Sequence, residues 1–171
     1  MKPSDIYMID GSENKVMRYI TAQSRTAARA LGMGGVATYT VLRGRAATMR
    51  ITNKTPGFIV AIPDQAQPES YFTLASFEPR KNETREVITG GGYMSYSSGI
   101  HKSRIIDVTS EKMADQSRAP KSFTIYKLTP VKPMNAGEYA LVLYTGELQS
   151  LVSAWFTAGT GNSYFDFGID K

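Results

Sequence analysis

The sequence predicts an all-β fold, an immunoglobulin-like sandwich of two antiparallel sheets, on three observations. Short runs rich in β-branched and aromatic residues recur along the whole chain, separated by turn residues. The closing stretch, "YFDFGID", alternates strictly between apolar and polar positions, as a strand does when its side chains point in turn to opposite faces. Ahead of it, Gly137, Glu138 and Tyr139 open an uninterrupted apolar run, the pattern of a tyrosine corner.

The elements follow in order. "DIYMID" and "KVMRYIT" flank "GSEN", and Asp10-Gly11 between them is a strong hairpin-turn dipeptide. Residues 21–35, "TAQSRTAARALGMGG", break the pattern, being rich in Ala and Arg and ending in Gly. They predict one short helix or ordered loop near residues 22–32. Its mostly methyl-sized side chains would bury little area, so it is expected to cover the sandwich rather than fill it. "GVATYTVLRG" and "AATMRITN" return to strand character, with Met49 and Ile51 pointing one way and Arg50 the other. "GFIVAIP" is closed by Pro63 and the polar loop "DQAQPES". "YFTLASFEP", "REVIT", "RIIDVTS", "SFTIYKLTP", "EYALVLY" and "SYFDFGID" complete a series spaced as in a β-sandwich. In the last of these, Phe165, Phe167 and Ile169 are expected inward and Tyr164, Asp166 and Asp170 toward water.

The stretch "PMNAGEYALVLY" carries most of the architectural information. Where a chain crosses between sheets it leaves backbone groups that no ladder satisfies. A tyrosine can pack its ring in the core while its hydroxyl bonds one of those groups. Gly137 would permit the turn and Tyr139 would be the corner. Leu141 and Leu143 share the face of Tyr139, and Ala140 and Val142 share the other. Apolar residues on both faces argue for a central strand covered on each side. Leu141 stands where an antibody domain would carry a disulfide cysteine, and the only tryptophan, Trp155, follows the corner. The expectation is therefore the broad architecture and not an antibody-type domain.

Composition narrows the chemistry. The chain has 171 residues, 42% of them hydrophobic, enough for one core. It shows neither an internal repeat nor a dividing linker, so residues 1–171 read as a single domain. There is no cysteine, which excludes disulfides, thiolate metal sites and cysteine nucleophiles. Net charge is +5, from twenty Lys and Arg against fifteen Asp and Glu, interspersed along the chain. The densest basic stretch holds Arg43, Arg45, Arg50 and Lys54, which do not share one side of a strand, and this argues against nucleic acid. No apolar run reaches about 18 residues, so no membrane-spanning helix is expected. "MKPSDIYMID" has no apolar core of signal-peptide length. The compartment stays open: cytoplasmic, or envelope or secreted if a leader or anchor has been removed. Asp10, Glu13, Asp166 and Asp170 lack the spacing of a calcium loop, and neither metal nor cofactor is expected.

The most unusual composition is "GGGYMSYSSG", followed by "IHKSR". It lacks the Gly-Lys-Ser/Thr and following helix of a phosphate loop. Tyrosine supplies amphipathic contact area and Ser and Gly supply adaptability, so Tyr93, Tyr96, His101, Lys102 and Arg104 are the candidate binding residues. His101, the only histidine, would be the base of a Ser-His-Asp hydrolase, but no nucleophile elbow accompanies it and no residue is assigned a catalytic role. The leading expectation is a non-enzymatic interaction or assembly module whose partner is a protein or a second copy. The alternatives are glycan or small-ligand binding through the loop at 90–104, and a hydrolase using His101.

"KNETREVITG", "YKLTPVKPMNAGEYALVL" and "FDFGID" together resemble a β-rich, immunoglobulin-like domain of unknown function found in many bacterial proteins. The resemblance runs from "DIYMIDG" to the end, with Ala136-Gly137 in place of that domain's Pro-Gly. It implies a fold and a bacterial setting, and carries over no catalytic residue.

Overall fold

The computed structural model describes residues 1–28, 36–90, 100–143 and 162–171, and these are mostly strand, 57%. The first hairpin pairs β1 (Ile6–Asp10) with β2 (Glu13–Met17), Asp10 facing Glu13. The two residues between them include Gly11 at φ +63°, a left-handed conformation that glycine adopts without steric cost. β7 (Gly57–Pro63) pairs with β1, β12 (Phe123–Pro130) with β7, and β11 (Val108–Lys112) with β12. This five-stranded antiparallel sheet has the order β11-β12-β7-β1-β2.

The second sheet is built around β13 (Gly137–Leu143), which lies between β8 (Phe72–Pro79) and β14 (Ser163–Ile169). Beyond β14 stands β3 (Tyr19–Ile20). Beyond β8 come β9 (Thr84–Gly90), β5 (Val36–Arg43) and β4 (Gln23–Ala28). Short β6 (Arg50–Ile51) runs parallel to β14, and β10 (Ile105–Ile106) pairs with β8. The main core lies between the sheets. Ile6, Met8, Phe58, Val60, Ile62 and Leu128 from one meet Phe72, Leu74, Leu141, Phe165 and Phe167 from the other, each 0–1% exposed. Each such side chain contributes about 1.5–3 kcal/mol by leaving water. At the corner, the Tyr139 ring stacks on Phe167 at 5.6 Å while its hydroxyl donates to the Asn135 carbonyl at 2.8 Å. Gly137 faces that ring. A Cβ there would lie 3.2 Å from the phenol oxygen, a closer approach than most side chains tolerate.

A second core occupies the opposite face of β13. Ala140 and Val142 of β13, Tyr164 of β14 and Ala75 and Phe77 of β8 pack against Leu42 of β5 and Val87 of β9. The second sheet therefore curls so that its β9–β5 part covers its own β8–β13–β14 part. Two connections close the curl. Arg18 alone separates β2, at the edge of the first sheet, from β3, at the edge of the second. Thr21 and Ala22 then link β3 at one edge of the second sheet to β4 at the other.

Two expectations change. The helix or ordered loop foreseen near residues 22–32 is replaced over Gln23–Ala28 by β4, paired in register with β5 from Gln23–Val41 to Ala28–Val36; residues 29–35 lie outside the described set. Ladder bonds to β5 override the high local helical preference of Ala and Arg. The one α-helix among the described residues is a single turn, α1 (Pro68–Tyr71). Phe165, Phe167 and Ile169 point into the main core and Asp170 is exposed, both as expected, but Tyr164 and Asp166 are largely covered. Tyr164 is 1% exposed, under the curled layer.

The end of the second core is closed by charge. Arg85 on β9, 2% exposed, donates to Asp166 at 2.7 Å and to the carbonyls of Gly44 at 2.9 Å and Arg43 at 3.0 Å, with Glu138 at 3.6 Å. Glu138 also accepts from the Ala47 N–H at 2.7 Å and from Arg50, which in turn donates to Asp170. The Arg50 guanidinium lies over Gly168, where any Cβ would collide with it. Hydrogen bonds to Asp170 and Glu138 raise the Arg50 pKa further above its ordinary value.

Removing the Tyr139 hydroxyl while keeping its ring, as Tyr139→Phe, is expected to lower stability by about 1 kcal/mol in urea unfolding. Burial, and then the neighbouring Glu138 carboxylate, hold the Tyr139 phenol above its ordinary value of 10.0. The folded state thus keeps that proton more tightly than the unfolded chain. Stability is complete below pH 10.0 and declines as pH rises through the raised folded value. Tyr139→Phe should blunt that alkaline decline without abolishing it, because burial raises Tyr71 in the same direction. Arg85→Met, which leaves Asp166 and Glu138 without their buried cation, is expected to cost about 3–5 kcal/mol in the same measurement. Gly168→Ala should cost only about 1 kcal/mol, since the Arg50 side chain it displaces is one-third exposed and can turn out to water.

Candidate functional site

The outer face of the curled layer carries the candidate site. Along β9, Arg85 and Val87 point inward, so alternation turns Glu86 and Ile88 outward. Pairing in register then aligns two rows across the layer. Arg25 lies beside Tyr39, and Tyr39 beside Ile88; Val41 lies beside Glu86, and Glu86 beside Glu78. Tyr39 and Ile88 thus sit together as an apolar floor.

The walls come from splaying of the sheet. β9 pairs with β8 only at Glu78 and Pro79, then leaves it, and β10 takes up the free edge of β8 at Leu74 and Ala75. One wall is the turn after β8, held by the Arg80 N–H donating to the Thr84 carbonyl at 2.7 Å, with Glu83 at φ 58°. The other is the returning segment at 100–104. The His101 N–H donates to the Ile88 carbonyl at 2.9 Å and a 3-10 turn spans Lys102–Arg104.

Between the walls lies a cleft of about 170 Å³ lined by Tyr39, Glu78, Arg80, Glu86, Ile88 and Arg104. Its charges are ordered by one another. Glu86, 2% exposed, accepts from Arg25 at 2.7 Å and from Arg80 at 3.2 Å. Glu78 accepts from Arg80 at 3.2 Å and from Arg104 at 2.8 Å. The Arg25 guanidinium also stands over the Tyr39 ring, 4.9 Å from its centre. Arg80 and Arg104 line the cleft with Glu78 and Glu86, and Arg25 stands at its border over Tyr39, so the cleft is rich in N–H donors and has one cation more than its acids once Arg25 is counted. Such a surface recognises carboxylates and other anions, planar oxyanions above all.

Of the residues singled out in the sequence, Arg104 lines this cleft. Lys102 and His101 are exposed on its shoulder. The His101 ring caps the 3-10 turn: Nδ1 accepts from the Ser103 N–H at 3.3 Å and lies 2.8 Å from the Ser103 hydroxyl. Tyr93 and Tyr96 lie outside the described residues. Gly137 and Tyr139 sit at the inter-sheet corner, apart from the cleft lining. The acids weighed for calcium are engaged with cations, Asp10 with Lys15 at 2.6 Å, Asp166 with Arg85 and Asp170 with Arg50. Among the described residues no group of three or more His, Asp or Glu is placed to hold a metal ion, and no helix is long and apolar enough to cross a membrane. Arg25, Tyr39, Glu78, Arg80, Glu86 and Ile88 were not foreseeable as a group, because strand register alone brings them together.

No family model, curated protein or solved structure matches the chain.

Proposed function

We propose that this chain is a non-enzymatic recognition module, an immunoglobulin-like sandwich of bacterial type that binds a protein partner through the arginine-lined cleft. The observation that carries this reading is the grouping of three partly exposed guanidinium groups around Tyr39 and Ile88. Arginine and tyrosine supply a disproportionate share of binding energy at protein interfaces. Here the arginines are already oriented by Glu78 and Glu86, so little side-chain freedom is lost when a partner docks. The cleft also lies on a curled sheet, a rigid support, beside the segment at 100–104 that sequence composition marked for contact.

Self-association is a second reading, favoured by Val16 at 60% and Tyr19 at 59% exposure. These large apolar residues sit on the two edge strands joined by Arg18.

Binding partners are to be captured on the immobilised protein, identified, purified and titrated against wild type and Arg104→Glu. Arg104 is one-third exposed, so the variant should unfold at the wild-type midpoint while its affinity falls about tenfold and the salt dependence weakens. An unchanged affinity would remove the cleft from recognition. A dimer by light scattering that Val16→Lys dissociates would instead support the edge-strand reading.

A further inference from the structure

We infer that the cleft is a receptor for a carboxylate side chain of the partner, and that Glu78 occupies that carboxylate's place in the free protein. This deepens the recognition reading and rests on it.

The two glutamates of the cleft differ in kind. Glu86 is 2% exposed and fixed from two sides by Arg25 and Arg80. Glu78 is 43% exposed and stands at the rim, one oxygen accepting from Arg80 and the other from Arg104. A carboxylate bridging two guanidinium groups in this way is the arrangement an incoming acidic group would adopt. Because Glu78 is half in water, it can leave with little cost from desolvation. Glu86 cannot leave, and it keeps Arg25 and Arg80 in position.

The donors needed are present. A guanidinium has five N–H groups. Among the described residues the Arg104 guanidinium donates to Glu78 alone, and that of Arg25 to Glu86 alone. With Glu78 turned away, Arg80 and Arg104 in the lining and Arg25 at its border face one glutamate, and the field in the cleft favours an added negative charge.

Size selects the occupant. Sites for small-molecule ligands run from about 300 Å³ upward. At about 170 Å³ this cleft has room for one side chain. The floor of Tyr39 and Ile88 suits the methylenes of a glutamate whose carboxylate reaches Arg80 and Arg104. The partner it fits is therefore an acidic peptide segment.

The test uses the whole chain and N-acetyl-glutamate N-methylamide as probe. Binding is followed by NMR shifts of the Tyr39 and Ile88 amides and the arginine Nε–H groups. Saturable binding is expected, with a dissociation constant on the order of millimolar. It should weaken with salt, and the glutamine analogue should produce no shift. Glu78→Gln should tighten the probe roughly three- to tenfold by removing the competing carboxylate, and Arg104→Gln should abolish binding. Equal binding of the glutamine analogue, or a Glu78→Gln variant that binds no tighter, overturns the proposal. Tighter binding of glucuronate than of the peptide probe would overturn the peptide assignment in favour of an acidic glycan. The Glu78→Gln comparison separates this proposal from the broader one. A partner docking on the Tyr39 face without a carboxylate would still be captured, yet would bind that variant no better. Glu78 and Arg104 are both partly exposed, so each variant should unfold at the wild-type midpoint and the binding comparison reads the cleft alone.

Discussion

Burial of β13 on both faces is the constraint from which the rest of the architecture follows. Tyr139, Leu141 and Leu143 fill the core between the two sheets, and Ala140 and Val142 need a second cover on the opposite side. A two-layer sandwich offers none. The second sheet supplies it by curling, which brings Leu42 and Val87 down onto the outer face of β13 and its neighbours. The small side chains of the paired Ala75 and Ala140 allow the close approach. Glu138 lies on the same face of β13 as Ala140, so the curl also traps a carboxylate, which Arg50 and, from the covering layer, Arg85 compensate. The buried ion network is thus a consequence of the double cover.

Such a curl leaves edges, and one ribbon supplies most of them. Residues 13–28 run as β2 on the edge of the first sheet, as β3 on one edge of the second and as β4 on its other edge. Unpaired strand edges invite pairing with other chains unless they are short, charged or covered. Here β3 has two residues, β2 carries Glu13 and Lys15, and β4 carries Arg25. The same ribbon explains why its sequence is plain. An edge strand packs on few neighbours, so small and polar residues such as Ser24, Thr26 and Ala27 suffice, and no alternation of large apolar groups announces it.

That is also the physical limit on what the sequence revealed. "EYALVL" discloses a doubly covered strand because its own residues state it, and Tyr139 discloses a corner because its turn and ring are neighbours in the chain. "YFDFGID" discloses only half its situation. Alternation correctly assigns Phe165, Phe167 and Ile169, but the polarity of Asp166 suggests water where the structure provides Arg85, 81 residues away in sequence. "TAQSRTAA" misleads more fully, since its ladder partner is supplied by β5 and local propensity says nothing of it. The cleft is legible only at Arg104. Arg25, Tyr39 and Ile88 become neighbours through the register of three strands, and no local pattern encodes that register.

The two arginine groups show how one side chain type takes opposite roles within a single strand's reach. Arg85 and Glu86 are adjacent on β9 and point to opposite faces. Inward, Arg85 spends its donors on Asp166 and two carbonyls and becomes part of the interior. Outward, Glu86 holds Arg25 and Arg80 at the surface, where each keeps donors facing solvent. The curl that buries the first group displays the second, because β9 must separate from β8 to cover β13 and that separation opens the cleft. A substitution that relaxes the curl would therefore act on both faces together. The inner face would lose packing, and the outer face would lose the spacing between Arg80 and Arg104 on which a shared carboxylate depends.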